Sequence, residues 1–172
     1  MLETSLFGKL PALGDFVSRG SDGDGVRRVD AWLAGGMLAL QASSEHWLQP
    51  YLVSPVWQCV VPAGRLCEQA CAGALMPSVD RVGRYFPLMV WRPLRAPVDG
   101  AAVVRELAGV AACMPAALHE LLTPDALLDR LIQPNARHVA APDGERLLAG
   151  FHEDANLSLW WSLAGPLAPS CL

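Results

Sequence analysis

The clearest pattern along the chain is a pair of short apolar runs, 72–76 and 86–91, that enclose a polar segment from Pro77 to Tyr85. Runs of this length, punctuated by proline and glycine, predict two strands joined as a hairpin. The enclosed segment is longer than a tight turn requires, and it holds Asp80, Arg81 and Arg84 beside Gly83. Pro77 restricts the backbone at one end, Gly83 permits positive φ, and Asp80 can accept from loop N–H groups or pair with an arginine. Two readings stay open. The charges form an internal ion pair that holds the loop's shape, or one arginine is left over to meet an acidic or phosphorylated partner.

The remaining elements follow from the same patterning. Pro55 to Val61 reads as a strand closed by Pro62, and 65–72 as either a short helix or the start of the next strand. A three-strand antiparallel meander with the charged loop at one end is the economical arrangement. Thr4 to Leu10 alternates weakly and predicts an edge strand ended by Pro11. The Gly14-Asp15 turn before Phe16 and Val17 then brings Lys9 or Asp15 towards the hairpin loop. Val26, Val29, Leu33, Met37 and Leu40 recur at intervals of three and four, which predicts an amphipathic helix over 26–42 with Gly35 and Gly36 in its middle. Asp99 caps a helix over 101–114 that Pro115 ends, and Thr123-Pro124 opens another to Ile132. Residues 134–150 read as irregular, and 156–163 as a last strand before a loose tail. Strands in runs followed by helices predict an α/β (α+β) domain. Its antiparallel or mixed β-sheet has about five strands with helices packed on it.

Composition narrows the function. A length of 172 residues suits one domain, 1–172, able to bury a sizeable core. The net charge of -4 and the scattered arginines argue against nucleic-acid binding. No basic segment followed by an apolar core opens the chain, and the Ala-rich run 101–118 is broken by Arg105, Glu106 and Pro115, so neither secretion nor membrane insertion is expected. The five cysteines lack C-x-x-C spacing and a completing histidine pair; they read as reduced cytoplasmic thiols that fill the core, not as metal ligands. The GSDGDG stretch at 20–25 fails as a calcium loop, because the acidic residue it needs would fall at Leu33. Phosphate-loop, dinucleotide, nucleophile-elbow and zincin patterns are missing. His152-Glu153-Asp154 is adjacent in sequence instead of convergent and reads as an exposed turn. No catalytic, cofactor or metal residue is predicted.

FGKLPALGDFV at 7–17 and MPSVDRVGRYFPL at 76–88 are accompanied by Asp30-Ala31-Trp32-Leu33, Pro55-Val56-Trp57 and Trp160-Trp161. Together they resemble the TagF family of type VI secretion-associated proteins. The matching segments run through most of the chain, although 93–150 carries no matching motif. After the GDFV-x-R step the family usually continues with Leu-Pro, where this chain has Gly20 to Gly25. The resemblance implies a longin-like fold and a cytoplasmic accessory protein that restrains a bacterial type VI secretion system after translation. It would act by engaging the system's forkhead-associated scaffold protein. Some relatives are fused to a protein phosphatase, but this chain has neither the length nor the aspartates for one, so no enzyme activity and no cofactor are implied. A domain acting by occupancy needs a rigid face. The candidate partner-binding residues are Lys9, Asp15, Phe16, Pro77, Asp80, Arg81 and Arg84, with the aromatic and proline supplying an apolar centre. The alternatives are a phosphate- or nucleotide-binding domain using Arg81 and Arg84, and a structural baseplate-associated subunit. Oligomeric state is left open. The single-face reading requires 8–15 and 77–84 to lie at the same end of the sheet.

Overall fold

A computed structural model of the protein describes residues 4–132, 143, 158–162 and 165–166. Its strands are β1 (Ser5–Lys9), β2 (Phe16–Arg19), β3 (Trp57–Val61), β4 (Cys71–Met76), β5 (Leu88–Pro93), β6 (Leu159–Ser162) and the two-residue β7 (Gly165–Pro166). Helices α1 (Gly23–Ser43) and α2 (Leu48–Leu52) precede β3, and α3 (Gly100–Cys113), α4 (Ala116–His119) and α5 (Pro124–Ile132) follow β5. The strands form one antiparallel sheet in the order β2-β1-β5-β4-β3-β6-β7. The expected meander of β3, β4 and β5 is its centre.

Period-two alternation sorts side chains to two buried faces. Phe7, Cys59, Val61, Cys71, Met89 and Trp91 point to one face, where Val29, Leu33 and Met37 of α1 and Tyr51 of α2 cover them. Leu6, Ala74, Met76, Leu88 and Val90 point to the other, against Met114, Ala117 and Leu127. Further along that second face, α3 lays Val103, Val104 and Leu107 on Val60, Ala72 and Trp161. The result is a three-layer α-β-α arrangement, and it explains why the central strands read as continuous apolar runs: neither face meets water.

Several boundaries differ from the sequence expectations for local reasons. β1 is not an edge strand, because the Gly14-Asp15 turn folds β2 back against it with Lys9 opposite Phe16, which leaves β2 at the edge. Gly23 to Gly25 belong to α1, since the Asp22 carboxylate accepts from the Gly25 N–H at 2.8 Å and caps the helix earlier than its apolar periodicity does. Residues 65–70 form neither helix nor strand. Asp99 caps α3 as expected, accepting from Ala102 N–H at 2.9 Å. Gly100–His119 has the length and hydropathy of a membrane span, yet its α3 portion lies with one face on β3 and β4 and is broken from α4 at Met114-Pro115. The 134–150 expectation, apart from residue 143, and the His152-Glu153-Asp154 set lie outside the described residues.

Candidate functional site

The loop from Pro77 to Pro87 is built around one carboxylate. Val79 and Tyr85 bridge across its base, Gly83 takes φ 87°, and Gly83 N–H donates to Asp80 C=O at 3.0 Å. A side chain at such a φ costs energy, so glycine suits the tip. Asp80 turns inward and is fully buried. Its Oδ1 accepts from the backbone N–H groups of Val82 and Arg84, both at 3.0 Å, and its Oδ2 accepts from Lys9 Nζ at 2.9 Å and Arg84 Nε at 2.7 Å. Burial on its own would raise the carboxyl's pKa. The Arg84 N–H, the Lys9 and Arg84 side chains and the Val82 N–H outweigh it and hold Asp80 well below the usual carboxylate range.

The sheet carries the FGKLPALGDF turn to this loop. β1 pairs with β5 through Gly8 opposite Leu88, so Lys9 and Pro87 leave the sheet at the same end. From there Arg81 N–H donates to Leu13 C=O at 2.8 Å, Arg84 Nη2 donates to Gly14 C=O, and Ser78 Oγ donates to Lys9 C=O at 2.6 Å. The segments 8–15 and 77–84 therefore form one unit. A second latch comes from α2: Tyr51 Oη donates to Ser78 C=O and accepts from Ser78 N–H, each at 2.9 Å. Burial pushes the Tyr51 phenol up to about 12.

Lys9 has a further neighbour. Its ammonium lies 4.9 Å from the centre of the Phe16 ring, which stacks on Phe7 at 5.6 Å and meets Phe86 edge-on at 4.9 Å. A buried cation is thus satisfied by a carboxylate on one side and a π face on the other.

The seven predicted residues divide into two groups. Lys9 and Asp80 are buried and hold the two segments together, so the internal ion-pair reading describes them. Arg84 is exposed but committed to Asp80 and Gly14. Asp15 is exposed and accepts from Phe16 N–H at 2.8 Å, and Phe16 keeps 46% of its surface open. Pro77 is half-buried on the rim of a cavity of about 770 Å³ between α1 and the sheet, lined by Trp32, Gly36, Met37, Trp57 and Leu75 among others. Arg81 is the arginine left over: its N–H is pinned to Leu13 and the residue is exposed, while its guanidinium has no carboxylate partner among the described residues. In the same two loop segments the sequence reading missed Leu13, Val82 and Tyr85, side chains at 37%, 66% and 37% exposure. It also missed the Tyr51 latch. Nothing in their spacing singles these out, although an apolar valine between Arg81 and Gly83 at a loop tip is a signal that could have been weighed. Among the described residues there is no group of three metal-capable side chains, and neither Arg81 nor Arg84 lines any of the four principal cavities.

Residues 5–135 match the family model described as the TagF N-terminal domain, type VI secretion system-associated. Among solved structures, the chain is similar to the crystal structure of PA0076 from Pseudomonas aeruginosa PAO1. The identity is 32% and the TM-score 0.76, over 95% of this chain and 83% of that one. No curated protein matches the sequence.

Proposed function

The chain belongs to the TagF N-terminal domain family of type VI secretion-associated proteins, and from that premise we propose that it is a non-catalytic, cytoplasmic negative regulator that acts by binding the forkhead-associated scaffold protein of the system. The observation that supports this reading most directly is the Arg81 guanidinium, which has no carboxylate partner among the described residues and sits on a backbone pinned to Leu13, in the same two loop segments as the exposed Leu13, Phe16, Val82 and Tyr85. An arginine beside aromatic and aliphatic groups on a pre-ordered surface is the composition that carries binding energy at protein interfaces. The ordering costs of association are small where the loop is already held by Asp80, Gly14 and Ser78.

A phosphate-binding reading has less support, since Arg84 spends its guanidinium on Asp80 and Gly14. The direct test is capture of the purified scaffold protein by wild type, Arg81→Glu and Val82→Asp. Both variants change exposed side chains and are expected to melt within about 2 °C of wild type. Capture by wild type and a loss of at least tenfold in both variants supports the regulator reading on this face. Equal capture by all three moves the interface elsewhere. No capture by any, with co-purification in fixed ratio with the assembled apparatus, replaces the regulator with a structural subunit.

A further inference from the structure

The cavity of about 770 Å³ between α1 and the sheet has two unlike ends. Trp57, Leu75, Pro77 and Pro87 line one of them, and the polar groups there are already paired: Ser54 Oγ accepts from Trp57 Nε1 at 2.9 Å, and Tyr51 Oη is spent on Ser78. Val61, about 13 Å along β3 by strand rise, marks the other end. There the chain turns at once, with Arg65 N–H donating to Pro62 C=O at 3.4 Å, so Arg65 stays beside it. Arg65 is the one charged residue in the lining, and its guanidinium has no carboxylate partner among the described residues. The register that sets Val60 opposite Leu159 brings Ser158 to Val61, and cross-strand partners share a face, here that of α1. Ser158 is 1% exposed, lines the cavity, and has no hydrogen-bond partner for its hydroxyl among the described residues. Trp160, on the same face and stacked on Trp32 at 5.6 Å, leaves a buried indole N–H without a partner. Hydroxyl, indole and guanidinium can all donate, so this end lacks an acceptor. The α1 wall is low: Ala31, Gly35, Gly36 and Ala39 line it, and a Cβ at either glycine would meet nothing within 4 Å.

We propose that this cavity is a binding site for a medium-chain fatty acid, whose carboxylate meets Arg65 and Ser158 and whose acyl chain runs along β3 towards Trp57, Pro77 and Pro87. The volume falls within the range of small-molecule sites, about 300–1,000 Å³, which are mostly apolar with a few placed polar groups that fix orientation. A carboxylate supplies only acceptors, and a planar guanidinium pairs with it two-point. Each buried methylene of the chain adds to the affinity by leaving water. A nucleotide or a phosphate has no use for the apolar length, and a neutral hydrocarbon leaves Arg65 and Ser158 unanswered. The site does not include Arg81, and the proposal does not rest on the scaffold-binding reading.

The test titrates the full chain with sodium dodecanoate below its micelle concentration by isothermal calorimetry, with dodecanol as the neutral control and analytical ultracentrifugation alongside. Dodecanoate should bind once per chain and at least tenfold more tightly than dodecanol. Arg65→Gln should remove that preference. Gly36→Leu, which puts a side chain into the cavity from an exposed position on α1, should weaken both ligands at least tenfold while the protein still melts cooperatively; the two variants are independent, so one decides the matter if the other fails to fold. Absence of saturable dodecanoate binding up to about 1 mM, equal binding of dodecanol by wild type, or undiminished binding by Gly36→Leu would overturn the proposal. Dimerisation that Gly36→Leu abolishes, without dodecanoate binding, would also overturn it and give the cavity to a second copy of the chain.

Discussion

Asp80 shows how one side chain can be both the motif and its anchor. Its four hydrogen bonds join the loop to itself, to Lys9 and to Arg84, and removing it leaves a buried ammonium with only the Phe16 ring. Asp80→Ala is therefore expected to lower Tm by at least about 6 °C, measured by differential scanning fluorimetry, whereas Lys9→Met, which leaves Asp80 its other three donors, should cost less. The same carboxyl has a pH signature. Its native pKa lies below the unfolded value of about 4, so its contribution to stability is present above pH 4 and lost as pH falls through the native value. An Asp80→Asn variant should show a shallower acid limb of Tm against pH than wild type. Tyr51 gives the opposite limb: with its native pKa at about 12 and an unfolded value of about 10, its contribution is full below pH 10 and declines as pH rises to about 12. Tyr51→Phe orphans the buried Ser78 N–H, costs about 1–3 kcal/mol, and flattens that alkaline decline. At this scale the sequence was half legible. The pairing of Asp80 with a cation could be read from the charges around Gly83, but the choice of Lys9, seventy-one positions away, over Arg81 depends on strand pairing that spacing does not encode.

The elements supply the precision that those residues use. β1 passes β5 so closely that a Cβ on Gly8, which sits at φ 140°, would stand 2.1 Å from the Pro87 carbonyl oxygen. Backbone cannot yield there as a flexible side chain would, so Gly8→Ala should separate β1 from β5 and dissolve the contact between the two motifs. Loss of a cooperative melting transition, or insoluble expression, is the expected outcome. α1 makes the contrast: Gly35 and Gly36 are exposed, with nothing within 4 Å of a Cβ at either position. They weaken the helix without serving close packing. Gly36→Ala should raise stability by about 0.5–1 kcal/mol, or Tm by roughly 1–4 °C. α1, α3 and α5 were legible because each has a three-to-four periodicity and a capping residue; the short α2 and α4 were not, since neither has a side-chain cap. The edge role of β2 was not, since Phe16, Val17 and Ser18 are too few to alternate visibly, and only the fold-back of the Gly14-Asp15 turn makes them a strand.

Across the molecule, the sheet is the shared wall of two cores, and protection should follow distance from its edges. β4 is paired on both sides and covered on both faces, while β2 and β7 end the sheet. In native-state hydrogen exchange β4 amides should be the slowest and β2 amides, where not bonded to β1, among the fastest; equal rates in both would contradict the three-layer arrangement. The antiparallel α+β class was readable from strand runs followed by helices. The expected count of about five strands comes close to that of the sheet, and the two strands it leaves out, β2 and β7, are short. The placement of helices on opposite faces was not readable, because apolar residues on both sides of a strand look the same as a single buried run. The β1–β5 pairing has one more consequence, and it concerns the order of events during synthesis. Leu6 and Val90 are partners eighty-four positions apart in the chain, and Lys9 meets Asp80 across seventy-one, so both contacts close long loops. A nascent chain that has not yet released β5 from the ribosome owns the FGKLPALGDF turn but no surface to dock it on. The β1–β5 pairing therefore comes into existence only after β5, Leu88–Pro93, has emerged, and a partner that recognises it meets no shorter nascent chain.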